Sequence, residues 1–150
     1  MISYSSDVTI ARPPHAVYAA LLDPTLYAEW TDMVDVVFDA AEARVGTHGT
    51  FRLSKGPFKG ALEMTVTVLD PDRRVVFHVT HADLDWTAVS TLVPDGSGTR
   101  LTYAGELRLR GWRRLLEPFA GKEVRDGEAA EAIKLKTLLE AVPDPAGTSA

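Results

Sequence analysis

Between residues 35 and 110 apolar side chains recur at every second position in successive short runs separated by turns, and no helical spacing intervenes. The stretch ALEMTVTVLD shows it best. Leu62, Met64, Val66 and Val68 fall on one side of an extended chain, and Glu63, Thr65 and Thr67 fall on the other. Asp70-Pro71-Asp72 reads as a turn, after which Val75, Phe77 and Val79 resume the apolar phase. Leu84, Trp86, Ala88, Ser90 and Leu92 give the inner phase of the next strand, and Asp95-Gly96-Ser97-Gly98 is a hairpin signal. Beyond it Leu101, Tyr103, Leu107 and Leu109 alternate with Thr102, Glu106, Arg108 and Arg110. Upstream, Phe51 and Leu53 alternate with Thr50, Arg52 and Ser54. Strands this short, joined by turns alone, form an antiparallel meander.

Helical spacing is confined to the flanks. Residues 4–11 read as a strand stopped at Arg12-Pro13-Pro14, with Pro14 placed as the first residue of a helix. Val17 with Leu21 and Tyr18 with Leu22 stand four apart, and Asp23-Pro24 ends that helix. Residues 25–30 form a second short one, with Leu26 and Trp30 on one face. After Gly111 comes an apolar stripe of Trp112, Leu115, Leu116 and Phe119, continued by Ala130, Ile133, Leu135, Leu138 and Leu139 to about Val142. Pro118 and Gly121 predict a short leading turn before the long helix, or one kinked helix. The sequence therefore predicts an α+β fold: a curved antiparallel sheet of about seven strands around a long C-terminal helix, with two short helices after the first strand. Residues 1–142 form one domain, and 143–150, PDPAGTSA, are expected to be a disordered tail. A sheet with one apolar face must cover it. One helix is narrow beside so many strands, which leaves a gap as the expected binding site.

Composition narrows the partners. A net charge of −5 argues against DNA or RNA, whose phosphates need a basic surface. The absence of cysteine excludes disulfide scaffolds, thiolate zinc sites and cysteine nucleophiles, and suits a reducing cytoplasm. No basic patch followed by an apolar run opens the chain, and no run approaches the ~18 apolar residues of a membrane span. A cytoplasmic protein without integral membrane association is the expectation; the sequence leaves its oligomeric state open.

Several stretches resemble the SRPBCC superfamily (START-related and birch-pollen-allergen-like domains), and within it the polyketide cyclase/dehydrase-like group. VTIARPPHAVYAALLDPTLYAEW resembles that family's first strand, double helix and tryptophan; RVGTHGTFR its glycine-marked strand; VLDPDRRVVFHV the turn into its central strands. SGTRLTY resembles the last hairpin and AIKLKTLLE the end of the long helix. The likeness runs from about residue 8 to residue 141 and implies a helix-grip fold. It says less about activity, because these positions mostly build scaffold and the family hosts lipid carriers, hormone receptors and aromatase/cyclases.

Trp30, Phe51, Met64, Phe77, Trp86, Tyr103, Trp112, Leu116 and Phe119 are the candidate apolar lining. Each taken singly is as well explained as plain core, but as a set on one concave face they fit a cavity. Ser90 and Tyr103 are polar in otherwise apolar registers, and a phenol can hydrogen-bond a ligand oxygen while its ring packs. Glu123 lies near the face that continues Trp112, Leu116 and Phe119, although a solvated helix position explains it as well. His78 and His81 stand three apart on a strand and so point to opposite faces, which denies them a shared metal ion. His81 alone, in the phase of Phe77 and Val79, reaches toward a pocket mouth. His15 and His48 read as surface residues, and Asp32, Asp35, Asp39 and Glu42 as a solvated loop. No Ser-His-Asp order, phosphate loop or dinucleotide fingerprint appears, and no cofactor or metal is expected.

Three functions fit these residues. The first is binding of a hydrophobic small molecule, a lipid, polyketide or other aromatic metabolite, between sheet and helix. The second is a cyclase or dehydratase of polyketide-like substrates, with Tyr103, His81 and Glu123 as acid–base candidates. The third is a protein-interaction module using the outer face of the sheet. An acid–base pair within reach of a bound carbonyl favours the second over the first, and a filled core favours the third.

Overall fold

The computed structural model describes residues 1–142, so the tail expected at 143–150 lies outside the described residues. Seven strands, β1 (Ile2–Ile10), β2 (Met33–Phe38), β3 (His48–Leu53), β4 (Leu62–Asp70), β5 (Arg74–His81), β6 (Leu84–Asp95) and β7 (Gly98–Leu109), form one antiparallel sheet. Their order is β1-β7-β6-β5-β4-β3-β2, a meander whose last strand pairs with the first. Helices α1 (Pro14–Leu21) and α2 (Tyr27–Trp30) follow β1. A 3₁₀ turn (Gly111–Leu116) leads into the long helix α3 (Glu117–Ala141). This is the helix-grip α+β architecture that the alternating pattern implies.

The expected turns are in place. Gly96 and Ser97 alone join β6 to β7, and Gly96 takes φ +59°, a conformation that costs a glycine nothing. Between β4 and β5, Asp72 adopts φ +61°. Two bulges alter the sequence-derived phase. On β4 the pairing shifts between Val66 and Val68. Leu62, Met64 and Val66 face the core as expected, but Val68 turns to solvent and Leu69 packs inward instead. On β2 the pairing shifts between Val34 and Val37, with Asp35 in the left-handed region, so part of the acidic cluster read as a loop belongs to a strand.

Helix α3 runs unbroken through Pro118, because the proline sits in the first turn, where its missing N–H has no partner to lose. Its inward face carries Gly121, Val124, Ala132, Leu135, Leu138 and Leu139. Phe119 and Ile133, expected on that face, are 85% and 59% exposed. Each precedes an inward residue, Gly121 or Leu135, by two positions, a rotation of about 200° that puts it on the opposite side.

The cover of the sheet is also shared more widely than the sequence reading assigned. Helix α3 packs chiefly along β1, at one edge of the sheet, while α1 lies over β5, β6 and β7 and α2 bridges α3 and β2. Among the described residues no helix is long and apolar enough to cross a membrane.

The rotation of α3 makes a paired test. Leu135 is fully buried, so Leu135→Ala should lose about 2–5 kcal/mol of unfolding free energy. Ile133→Ala should change it by less than about 0.5 kcal/mol. Denaturant unfolding of the two variants reads the orientation of the helix directly.

Candidate functional site

The gap between helices and sheet takes the form of two adjacent hollows. The inner one, of about 40 Å³, is walled by Trp30, Met64, Phe77, Val79, Ser90 and Tyr103. The outer one, of about 210 Å³, lies between α3, the Gly56-Pro57-Phe58 segment and the residues Tyr4, Trp86 and Leu107. Met33 and Trp86 border both and form the partition between them.

Tyr103 stands at the junction. On β7 it pairs with Ser90 of β6 on one side and Ser6 of β1 on the other. Its ring meets Trp30 edge-on, with centroids 5.9 Å apart, and lies 6.2 Å from the ring of Tyr4. Its hydroxyl donates to Glu131 Oε2 at 3.0 Å. Glu128 stands one turn before Glu131 on the same face of α3, and its Oε2 is buried with no hydrogen-bond partner among the described residues. The Trp30 indole N–H is likewise buried and unpaired. Behind them Trp86 Nε1 donates to the Tyr4 hydroxyl at 2.9 Å. Tyr4 reaches that position because the residue paired with it across the sheet is Gly105. A Cβ at Gly105 would overlap the Tyr4 ring and come within 2.6 Å of the Thr87 carbonyl oxygen.

Burial governs the charges here. It raises the Glu128 carboxyl well above the ordinary 4.5, and the neighbouring charge of Glu131 adds to the rise. Burial raises Glu131 as well, opposed by the hydrogen bond from Tyr103, which favours its ionised form. Two adjacent carboxyls in such a place share a proton near neutral pH rather than both ionising. Burial first, and the two glutamates next, push the Tyr103 hydroxyl far up, so it remains a neutral donor. The arrangement can donate from Tyr103 and can both give and accept a proton at the carboxyl pair. Among the described residues no three His, Asp or Glu side chains gather to hold a metal ion.

Of the residues read from the sequence, Trp30, Met64, Phe77, Trp86, Ser90 and Tyr103 come together around the inner hollow. Phe51 is fully buried in the core and borders neither hollow. Trp112, Leu116 and Phe119 stand away from both hollows and are exposed, the consequence of the rotation of α3 and of the 3₁₀ turn before it. Glu123 sits exposed at the rim of the outer hollow. His81 faces neither hollow. Its ring packs on Phe58 with centroids 5.9 Å apart, Nε2 donates to the Lys59 carbonyl at 3.2 Å, and Nδ1 accepts the Asp83 amide at 3.1 Å. It therefore anchors the loop between β3 and β4.

Reasoning from the sequence misses Tyr4, Glu128 and Glu131. A signal for the glutamates is present: Val124, Glu128, Glu131 and Leu135 follow the four-three-four spacing of one helix face. Two acids on an apolar stripe mark a buried polar site.

The family comparison agrees with this architecture. The chain belongs to the polyketide cyclase/dehydrase and lipid transport family, whose model matches residues 1–140, and so to the SRPBCC superfamily. No curated protein matches it. Among solved structures, protein CV1439 of Chromobacterium violaceum is similar at 23% identity and a TM-score of 0.71, with 95% of this chain and 98% of that one covered. TTHA0849 of Thermus thermophilus is similar at 18% identity and a TM-score of 0.74, covering 95% and 99%. DynU16, a protein of the dynemicin biosynthetic locus, is similar at 18% identity and a TM-score of 0.69, covering 93% of this chain and 48% of that one. At these identities the likeness is one of fold.

The carboxyl pair predicts how stability follows pH. Below the ordinary value of 4.5 both glutamates are protonated in folded and unfolded chains alike, and the pair costs nothing. As pH rises through 4.5 the unfolded chain ionises while the folded chain holds its protons. The unfolded state then binds fewer protons, and stability falls until the raised folded values are passed. Each pH unit with one extra proton held costs about 1.4 kcal/mol at most. Unfolding free energies between about pH 5 and pH 8 should decline more steeply for the parent protein than for Glu128→Gln/Glu131→Gln.

Proposed function

We propose that the protein binds an apolar small molecule with one oxygen-bearing end, its body between sheet and α3 and its oxygen at Tyr103, Glu131 and Glu128. One observation carries the reading. Where the apolar inner hollow meets the outer one, a buried phenol donor faces a half-buried carboxyl pair. Asp32, Lys55 and Glu123 are the other charged residues of the outer hollow, and the Glu128 Oε2 and the Trp30 N–H are left without partners among the described residues. Unpaired buried polar groups cost free energy, of order 1–3 kcal/mol each, and a ligand oxygen would relieve that cost. Apolar walls with a few placed polar groups are the usual form of small-molecule sites. The outer hollow falls short of the roughly 300–1,000 Å³ usual for such sites. Met33 in the partition is unbranched and adaptable, so its movement would join the two hollows around a larger guest. The family description, which spans polyketide cyclases, dehydrases and lipid transport, supports ligands of this class.

A second reading rests on the carboxyl pair itself. With one proton between them, one carboxylate can remove a proton beside a bound carbonyl while the other carboxyl protonates a departing hydroxyl. The products would be the unsaturated carbonyl compound and water, the chemistry of a dehydratase. Tyr103 would then polarise the carbonyl from its neutral form.

Tyr103→Phe separates the readings, because it keeps the ring and removes one hydroxyl. If the hydroxyl anchors a ligand, affinity for a carbonyl-bearing aromatic probe should fall roughly two- to twelvefold. If it polarises a reacting carbonyl, turnover should fall about a hundredfold or more with a modest change in binding. Calorimetric titration beside thermal melts checks both. A lower melting temperature with unchanged affinity would count against the proposal.

A further inference from the structure

We infer that the exposed apolar stripe where the 3₁₀ turn meets α3 docks the protein on an anionic phospholipid bilayer. Trp112, Leu115, Leu116 and Phe119 are 66%, 77%, 41% and 85% exposed. Exposed apolar residues scattered singly need no explanation, but four large ones clustered within residues 112–119 call for a partner. Their chemistry suits the boundary between headgroups and acyl chains, where Trp and Phe anchor a surface helix and leucines supply apolar area.

Charge selects the partner. The chain carries a net charge of −5, yet residues 110–116 hold Arg110, Arg113 and Arg114 with no acid, and residues 54–60 hold Lys55 and Lys59 with no acid. The two segments form one surface, because the Arg113 guanidinium lies 5.4 Å from the Phe58 ring centroid and 4.9 Å from that of Trp112. The acids nearby are partly engaged. Asp85 pairs with Arg110 at 3.1 Å, Asp83 with Arg113 at 3.4 Å, Asp32 with Lys55 at 4.0 Å, and Glu117 with the amino group of Met1. Arg114 and Lys59 have no carboxylate partner among the described residues, while Glu123 remains exposed at the rim. A second copy of the chain would bring the same unpaired cations, Arg114 and Lys59, to both sides of the contact. An anionic bilayer accepts the apolar stripe and the basic rim together.

The position of the surface gives it a use. Gly56, Pro57 and Phe58 wall the outer hollow, and Glu123 and Val124 of the first turns of α3 complete the same wall. Docking would bring the Phe58 side of the hollow near the bilayer, which would shorten the path of an apolar guest through water. The docking itself does not depend on what the hollow holds.

Sedimentation with vesicles tests the inference. Vesicles of phosphatidylcholine containing about one-third phosphatidylglycerol should carry the protein down, and those of phosphatidylcholine alone should carry much less. Raising salt should weaken the binding. Leu115→Ser/Phe119→Ser, at exposed positions that should leave the melting temperature unchanged, should abolish it. Arg114→Gln should reduce partitioning roughly fivefold. Tyr103→Phe should bind vesicles like the parent, so failure of the ligand reading and failure of this one are told apart. The inference is overturned if the folded protein ignores anionic vesicles, or if it binds neutral ones equally and without regard to salt. It is also overturned if the double substitution dissolves a dimer rather than vesicle binding, for then a second copy covers the stripe.

Discussion

Everything in this molecule follows from covering a wide sheet with narrow helices. Seven strands at about 4.8 Å spacing make a surface roughly 30 Å across, and a helix is only about 10–12 Å wide. No single helix can close that surface. The long helix takes the β1 edge, α1 lies over the strands next to that edge and the middle of the sheet, and α2 spans from α3 to the β2 edge. Large side chains such as Trp30, Tyr27 and Tyr103 fill the angle between them. What they do not fill is the pair of hollows. The hollows are thus a result of the architecture before they are a result of particular side chains.

The same mismatch explains how the polar cluster is tolerated. A carboxyl pair deep in a close-packed core would be severely destabilising. Here it lies where packing already fails, on the face of α3 above the hollow, with Tyr103 supplying one hydrogen bond. The helix is anchored at both ends by other means. Near its start Glu117 receives the amino group of Met1, and near its end Arg12 donates to the carbonyls of Glu140 and Val142 while Glu140 accepts the Ala11 amide. The middle of α3 is left free to present glutamates inward.

The fold is legible in the sequence because strand alternation is local and survives without tertiary knowledge. Period two alone puts Phe77, Trp86, Ser90 and Tyr103 on the inner face, where the structure has them. The helix is harder to read. Large apolar residues at Trp112, Phe119 and Ile133 outweigh the quieter stripe of Gly121, Val124, Ala132 and Leu135, so a reading by size turns the helix the wrong way and overlooks its two inward glutamates. Tyr4 escapes notice for another reason. Its importance depends on a strand far along the chain, and nothing near it in sequence marks the pairing with Gly105. Val68 is misplaced because a bulge is one added residue, and an alternating pattern has no mark for it.

Gly105 has an effect beyond its own strand. β1 lies at the edge of the sheet and pairs on one side only, the situation in which a strand can slide by a residue and turn its inner side chains outward. The absent side chain on β7 offers the Tyr4 ring a seat in one register and in no neighbouring one. The glycine thereby acts as a keyway for the first strand, and through the indole–phenol hydrogen bond it sets where the Trp86 partition stands. A single methyl group added there would be felt at the far side of the hollow, as a displaced wall.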